Sequence, residues 1–581
     1  MYDTIIRNGT VVDGTGREAF VADVAIKDGV IAVVGKVDGS AKREIDAKGR
    51  HVMPGWVDTH SHMDGQATWD PYCSPAINHG ITSLVMGNCG VGFAPCKPSD
   101  DERLRMIQVM EDVEDIPEAA LTEGIEWQWE SFPEYLDTLD GMPRAIDIAA
   151  QVPHCAVRTY VMGERGVNNE PATPDDVSKM AEIVREGLDA GAIGFTTSRT
   201  QLHTTRNGEV MPGTYSDEGE LLGIGRAISE AGKGIYGLVS DFENWREEMD
   251  WMKRLSIENN CQVNFVLFFR EESDWPRVQE QLNYVKEAAK DGARLIPHVG
   301  ARPVNILMGW DGTVNPFSFQ PVFAEYAMLD REQRNEKLRD PEVRAKILAE
   351  EPIETGGDFF LEAITRRWDN IYEMGEVPNY EPAYEDSVEY KAKQAGVDPR
   401  AYAYDALMKN DAKSMLYCPL FGYGARDLSR QMAMLQHESS VISLADTGAH
   451  CGVLSDASVP TYLLSYLVRD RQRGDRLQLE QAVRMHTFET AQCMGLYDRG
   501  VLAPGMKADV NVVDLDNLQI QAPEIIFDLP AGGRRVFQGA VGYDYTLVSG
   551  EVVMEQGKPT GALPGKLIRG TQAAPSEHQA A

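Results

Sequence analysis

The stretch Thr173-Pro-Asp-Asp-Val-Ser-Lys-Met-Ala-Glu-Ile-Val-Arg-Glu-Gly-Leu-Asp-Ala-Gly-Ala-Ile-Gly-Phe-Thr-Thr197 holds a helix, its stop and a strand in one run. Thr173 can cap, Pro174 suits the first helical position, and Asp175 and Asp176 make an acidic first turn. Val177, Met180, Ala181, Val184 and Leu188 share one face, so a helix is predicted over 175–190, with Gly191 as its left-handed stop. The apolar run 192–197 follows at once. It is short and continuous, as strands buried on both faces are.

Working outward, runs of the same texture recur at 53–62, 82–87, 146–152, 234–240, 262–269, 294–299 and 441–446, several of them separated by helical patterns. With 192–197 this makes eight strands alternating with helices, which predicts an α/β fold of the TIM-type (β/α)8 barrel class with catalytic groups at the strand C-terminal ends. Residues 2–50 differ: short β-rich runs are broken at Asn8-Gly9 and Asp28-Gly29, the chemistry of tight hairpin turns. The texture returns at 508–515, 535–538 and 545–553, with a turn at Ser549-Gly550. The expected organisation is a small β-sandwich domain formed by both chain termini (1–53 and 496–570) around a barrel (54–495). An insertion at about 300–440 would cover the barrel mouth, an acidic excursion at 99–140 would be a smaller one, and 571–581 would be a disordered tail.

Asp and Glu number 90 against 56 Lys and Arg, a net charge of −34 over 581 residues. Such a surface repels phosphate backbones and anionic lipid, which argues against nucleic-acid and membrane partners. Eight scattered cysteines give no disulfide framework, and no run of 18 apolar residues interrupts the chain, so a cytoplasmic protein is expected, with a homo-oligomer compatible.

Four groups stand where barrel chemistry belongs. His60 and His62 end the first run two residues apart, so both imidazoles can face one cation. Cys89, between Asn88 and Gly90 after the second run, reads either as a thiolate beside an ion or as a small buried apolar residue. Asp446 ends the eighth run, where an unpaired carboxylate is costly, and barrel closure turns it toward His60 and His62. His450, just beyond it, reads as a substrate contact or as a loop hydrogen-bonding group.

The segment His60-Ser-His-Met-Asp-Gly-Gln-Ala-Thr-Trp-Asp-Pro and then Gly80-Ile-Thr-Ser-Leu-Val-Met-Gly-Asn-Cys-Gly-Val-Gly-Phe-Ala-Pro resemble the D-aminoacylase (N-acyl-D-amino-acid deacylase) branch of the amidohydrolase superfamily. So do Arg158-Thr-Tyr-Val-Met-Gly, Gly191-Ala-Ile-Gly-Phe-Thr-Thr-Ser, Leu338-Arg-Asp-Pro-Glu-Val-Arg and Asp498-Arg-Gly-Val-Leu-Ala-Pro-Gly-Met-Lys-Ala-Asp, in the family's order over nearly the whole chain. The resemblance implies a barrel with a terminal β-sandwich and zinc at the mouth. It implies that His60, His62 and Asp446 surround the metal, that Asp446 shuttles the proton, and that Cys89 is the strand-two ligand, 27 residues after His62 (89 − 62).

The chain departs from that pattern. Val239 and Leu267 stand where the family has the histidines of strands five and six, and the family's substrate-binding lysine is missing, with Arg270 nearby. The expectation is therefore one zinc ion held by His60, His62 and Asp446 with Cys89 as an optional ligand, two ions remaining compatible. Arg270, His298 and His450 are expected to touch substrate. Asp241, Asn264 or His298 could replace lost ligands, although ordinary rim residues are the favoured reading of each. The expected reaction is hydrolysis of an amide in an N-acyl amino acid or similar small molecule. The alternatives are a cyclic or larger aryl or peptidic amide, and a catalytically silent metal-binding scaffold.

Overall fold

The eight apolar runs become eight parallel strands: Trp56–Asp58, Ile81–Met86, Asp147–Pro153, Gly194–Arg199, Ile235–Ser240, Gln262–Val266, Arg294–Gly300 and Val441–Ser443. They are hydrogen-bonded in sequence order. The computed structural model describes residues 1–205, 208–443 and 445–575. Strand eight returns to strand one through a parallel bridge between Ser61 and Thr447, a hydrogen bond from His62 N to Thr447 O (2.8 Å) and one from Thr59 Oγ1 to Ser443 Oγ (2.9 Å). The sheet thus closes into a barrel.

The opening stretch folds as its chemistry requires. The helix Pro174–Ala190 starts on a reciprocal capping box, Thr173 Oγ1 accepting from Asp176 N and the Asp176 carboxylate accepting from Thr173 N. It buries Met180, Val184 and Leu188, and it stops at Gly191, φ 118°. Every barrel strand is buried along most of its length because helices cover its outer face and side chains fill its inner one.

The chain ends meet in a nine-stranded, mostly antiparallel sheet. Five strands come from the first 54 residues (Tyr2–Val11, Phe20–Lys27, Val30–Gly35, Ala41–Asp46, His51–Pro54). Four come from Val510–Val513, Tyr543–Val548, Glu551–Glu555 and Lys558–Pro559. The two sets join where His51–Pro54 pairs antiparallel with Val510–Val513. Ile6, Val24, Ile26, Val52, Val510, Val512 and Leu547 pack on one face of this sheet. Asp28-Gly29 and Ser549-Gly550 make the expected tight turns, all four residues at positive φ. Asn8-Gly9 does not turn the chain: it makes a bulge inside the long strand Tyr2–Val11, since a left-handed residue serves either purpose. The segment around Arg535 also leaves the expected domain, because Gly533–Phe537 pairs with Glu524–Leu529 in a separate hairpin.

Between strands seven and eight lies the expected insertion. It carries a three-stranded sheet (Val304–Met308, Tyr372–Met374, Met415–Phe421) and a core of its own around Trp310, Phe317 and Tyr404. A fully buried ion pair, Glu381 with Arg471 at 3.0 Å, ties it to the barrel's last helices. The acidic excursion is helical (Asp100–Glu114, Glu118–Gly124, Phe132–Asp140). Trp129 pins it by donating to Phe93 O, and Tyr135 by donating to Asp64 O. The expected disordered tail does not begin at 571, because Gln572 bridges Leu496; residues 576–581 lie outside the described residues. No helix among the described residues is long and apolar enough to cross a membrane.

Candidate active site at the barrel mouth

Three strand ends deliver the polar cluster. After strand one the chain bends at Thr59 and His60, and Asp58 fixes the bend by accepting from His60 N (3.0 Å) and from Thr447 Oγ1 (3.1 Å). His60 and His62 emerge side by side, with ring centres 5.5 Å apart. After strand two the chain must turn tightly against strand three: a Cβ on Gly87 would lie 2.3 Å from Gln151 O, so only glycine fits. That turn presents Cys89, whose Sγ lies 3.2 Å from His60 Nε2. After strand eight Asp446 sets Oδ1 3.5 Å from His62 Nε2 and 3.9 Å from His60 Nε2.

Cys89, Asp446 and His450 all hold positive φ (51°, 44° and 43°) although none is glycine. Backbone strain of this kind costs on the order of 1–3 kcal/mol per residue and gathers where side-chain placement outweighs local comfort.

Burial dominates the electrostatics. It drives His60 down to about 3, helped by His298, His203 and His450, and drives His62 well below the usual histidine range. Both rings are therefore neutral and can offer lone pairs. Burial also pushes up the Asp446 carboxyl, with Asp456 and Asp58 adding to it, and the Cys89 thiol, with Glu114 and Asp446 adding to it. A cation among these donors would reverse both penalties.

The donor set fits such an ion. Donor atoms of His60, His62 and Cys89 lie within 4.8 Å of one another, and Asp446 Oδ1 is buried beside them without a hydrogen-bond partner. Imidazole, thiolate and carboxylate are zinc ligands, and this grouping leaves solvent access through Asp446, whose side chain is 17% exposed.

The other expected contacts divide. His450 stands at the mouth, its side chain 34% exposed. His298 does not: it is buried inside the barrel, Nδ1 3.0 Å from Ser443 Oγ and Nε2 3.6 Å from Cys493 Sγ. There it lines, with His60, Cys89 and Asn264, a cavity of about 20 Å³, room for one water and not for a substrate. Arg270 also misses the mouth. It is exposed and stacks on Phe359 of the insertion, 4.0 Å from the ring centre, in a side pocket of about 240 Å³ shared with Arg367 and Arg426. Asp241 braces the loop after strand four by accepting from Gln201 N (2.7 Å), Asn264 donates to Cys493 Sγ, and Val239 and Leu267 are buried apolar wall. None of them replaces a ligand.

Two groups escaped the sequence reading. His203, in the loop after strand four, sits 3.1 Å from Ser198 Oγ and within electrostatic reach of His60, His62 and His450. Glu114 ends the excursion's first helix and is 1% exposed, with Oε1 3.3 Å from His62 Nδ1. Its spacing from Ile107 and Met110, which continues the helix's buried face, was the available signal.

A model of the amidohydrolase family matches residues 43–554. N-acyl-D-glutamate deacylase of Alcaligenes xylosoxydans xylosoxydans is 26% identical over 575 residues, covering 98% of this chain and 96% of its own. The solved N-acyl-D-glutamate deacylase from Bordetella bronchiseptica, complexed with zinc and a phosphonate inhibitor, aligns with a TM-score of 0.64 at 22% identity over 98% of this chain and 99% of its own. A D-aminoacylase mutant in complex with copper chloride aligns with a TM-score of 0.65 at 21% identity, covering 98% and 100%. These two structures share the barrel and the terminal sheet described above. Fold, donor set and family match together define a metal-dependent hydrolase of carbon–nitrogen amide bonds. The chain belongs to the amidohydrolase family, as a divergent member that lacks histidines at the ends of strands five and six.

Proposed function

We propose that this protein hydrolyses the amide bond of an N-acylated amino acid or a similar small acyl amide. The observation that carries the reading is the convergence of His60, His62, Cys89 and Asp446 from three separate strand ends, with Asp446 Oδ1 facing both histidines and otherwise unpartnered. The Alcaligenes relative, similar over nearly the whole chain, is an N-acyl-D-glutamate deacylase by name.

His60, His62 and Asp446 would hold one zinc ion with Cys89 beside them as a further ligand. When bound, that ion lowers the pKa of a water and polarises the substrate carbonyl. Asp446, the one carboxylate of the set open to the mouth, accepts the water's proton and returns it to the leaving nitrogen. His450, at the rim, hydrogen-bonds the substrate. His60 and His62, neutral through burial, act as ligands and take no part in the proton transfer. No covalent intermediate is required.

A cyclic or aryl amide is the second reading, favoured by the apolar wall that Val239 and Leu267 make in place of histidines. The test is a panel of N-acyl-D- and N-acyl-L-amino acids, cyclic amides and aryl amides, run on protein of measured zinc content. Turnover of the acyl amino acids supports the first reading. Turnover confined to cyclic or aryl amides replaces it with the second.

A further inference from the structure

Glu114 is a costly residue where it stands. It occupies the last position of the helix Asp100–Glu114, where the helix dipole opposes a negative charge, so local helix energetics do not place it there. It is 1% exposed, and neither carboxylate oxygen has a satisfactory hydrogen-bond partner. A buried polar group left in that condition is destabilising unless it serves another group.

Its position is nevertheless enforced from two sides. The next residue, Asp115, caps the helix at φ 51°, accepts at Oδ1 from Thr313 Oγ1 of the insertion (3.1 Å), and accepts at its carbonyl from Cys451 Sγ of the loop after strand eight (3.2 Å). These ties deliver Oε1 to within 3.3 Å of His62 Nδ1 and Oε2 to within 3.8 Å of His450 Nε2. The His62 ring is thus held between two carboxylates, Glu114 on its Nδ1 side and Asp446 on its Nε2 side.

We propose that Glu114 is a positioning residue for the metal centre, accepting the Nδ1 proton of His62 so that Nε2 presents its lone pair to the ion, and steadying His450 with its second oxygen. A neutral imidazole has one N–H, and neither His62 Nδ1 nor the Glu114 oxygens find a hydrogen-bond partner elsewhere; at 3.3 Å the two stand where each would satisfy the other, which would select the tautomer and fix the ring plane. Glu114 is not itself a ligand: it lies across the ring from the nitrogen that faces Asp446. The inference rests on the zinc reading above.

The test compares Glu114→Gln and Glu114→Leu with the wild type. Zinc affinity is measured by competition with a chelator, and thermal unfolding is measured on the metal-free proteins. Glutamine keeps an acceptor for Nδ1–H, whereas leucine fills the space without one. Glu114→Leu is expected to weaken zinc binding about 10- to 100-fold, with unfolding of the metal-free protein unchanged or raised, and Glu114→Gln is expected to recover most of the affinity. Unchanged zinc affinity in Glu114→Leu overturns the proposal, as does a lower metal-free melting temperature as its sole effect. Loss of a whole zinc equivalent in both variants also overturns it and makes Glu114 a ligand. A wild type that binds no zinc brings down the proposed function itself, an outcome distinct from the others.

Discussion

Asp446 Oδ1 lies 3.5 Å from His62 Nε2, across the seam where strand eight meets strand one. One side chain therefore both closes the ligand set and faces the open mouth, and these roles separate under substitution. Asp446→Asn should keep most of the zinc, because the amide oxygen can still face the histidines, but turnover should fall by about 10² to 10⁴ with the general base removed. Metal per chain and kcat, measured on one preparation, check this; near wild-type turnover would move the proton shuttle elsewhere, with His450 the next candidate.

Cys89 should behave as a ligand. Its Sγ is 3.2 Å from His60 Nε2 and belongs to the same donor group. Cys89→Ser is expected to lose zinc and activity in parallel during dialysis against a chelator. Retention of wild-type metal with a modest loss of rate would reduce Cys89 to a neighbour of a three-ligand ion.

Acid stability should depend on Glu220. Burial raises this carboxyl, but hydrogen bonds and charge from His154 and Arg158 outweigh it and bring it to about 2 from an ordinary 4.5. Because the folded value is the lower one, the stabilisation is complete above about pH 4.5 and is lost as pH falls toward 2, at most about 3 kcal/mol. Denaturant unfolding at stepped pH should show Glu220→Gln with a flatter slope across that window. An identical acid slope would mean that other carboxylates carry it.

Removing residues 2–50 should leave an insoluble barrel. The strand His51–Pro54 would lose its parallel partner, Tyr2–Val11, and the C-terminal strands would end on an unpaired edge. A soluble monomeric truncation with native near-ultraviolet circular dichroism would show that the sheet completes itself otherwise.

The barrel was legible because buried parallel strands leave an unmistakable trace, short apolar runs spaced by helices, and all eight fell where those runs are. His60, His62 and Asp446 were legible for the same reason, since a polar group closing an apolar run points to a strand end. Arg270 was misplaced because sequence offset fixes distance along the chain and not direction: beyond strand six the chain bends toward the insertion, and Phe359, remote in sequence, captures the guanidinium. Glu114 hid in the acidic run Glu111-Asp-Val-Glu114-Asp115, which reads as a solvated helix end until the insertion is seen covering it. His298 was placed correctly on its strand, but which way it points depends on the barrel's interior packing.

The shared terminal sheet also sets a timetable for synthesis. The five N-terminal strands leave the ribosome first, and the edge at His51–Pro54 meets its partner only when Val510 emerges, about 450 residues later, an interval of roughly 20–90 s at typical elongation rates. For that time a half-finished sheet waits while the barrel assembles between its parts. The nascent chain is then most exposed to chaperones and to mispairing with its neighbours on the same messenger, so slower translation should lower the soluble yield of this protein more than that of a barrel whose domains follow one another in sequence.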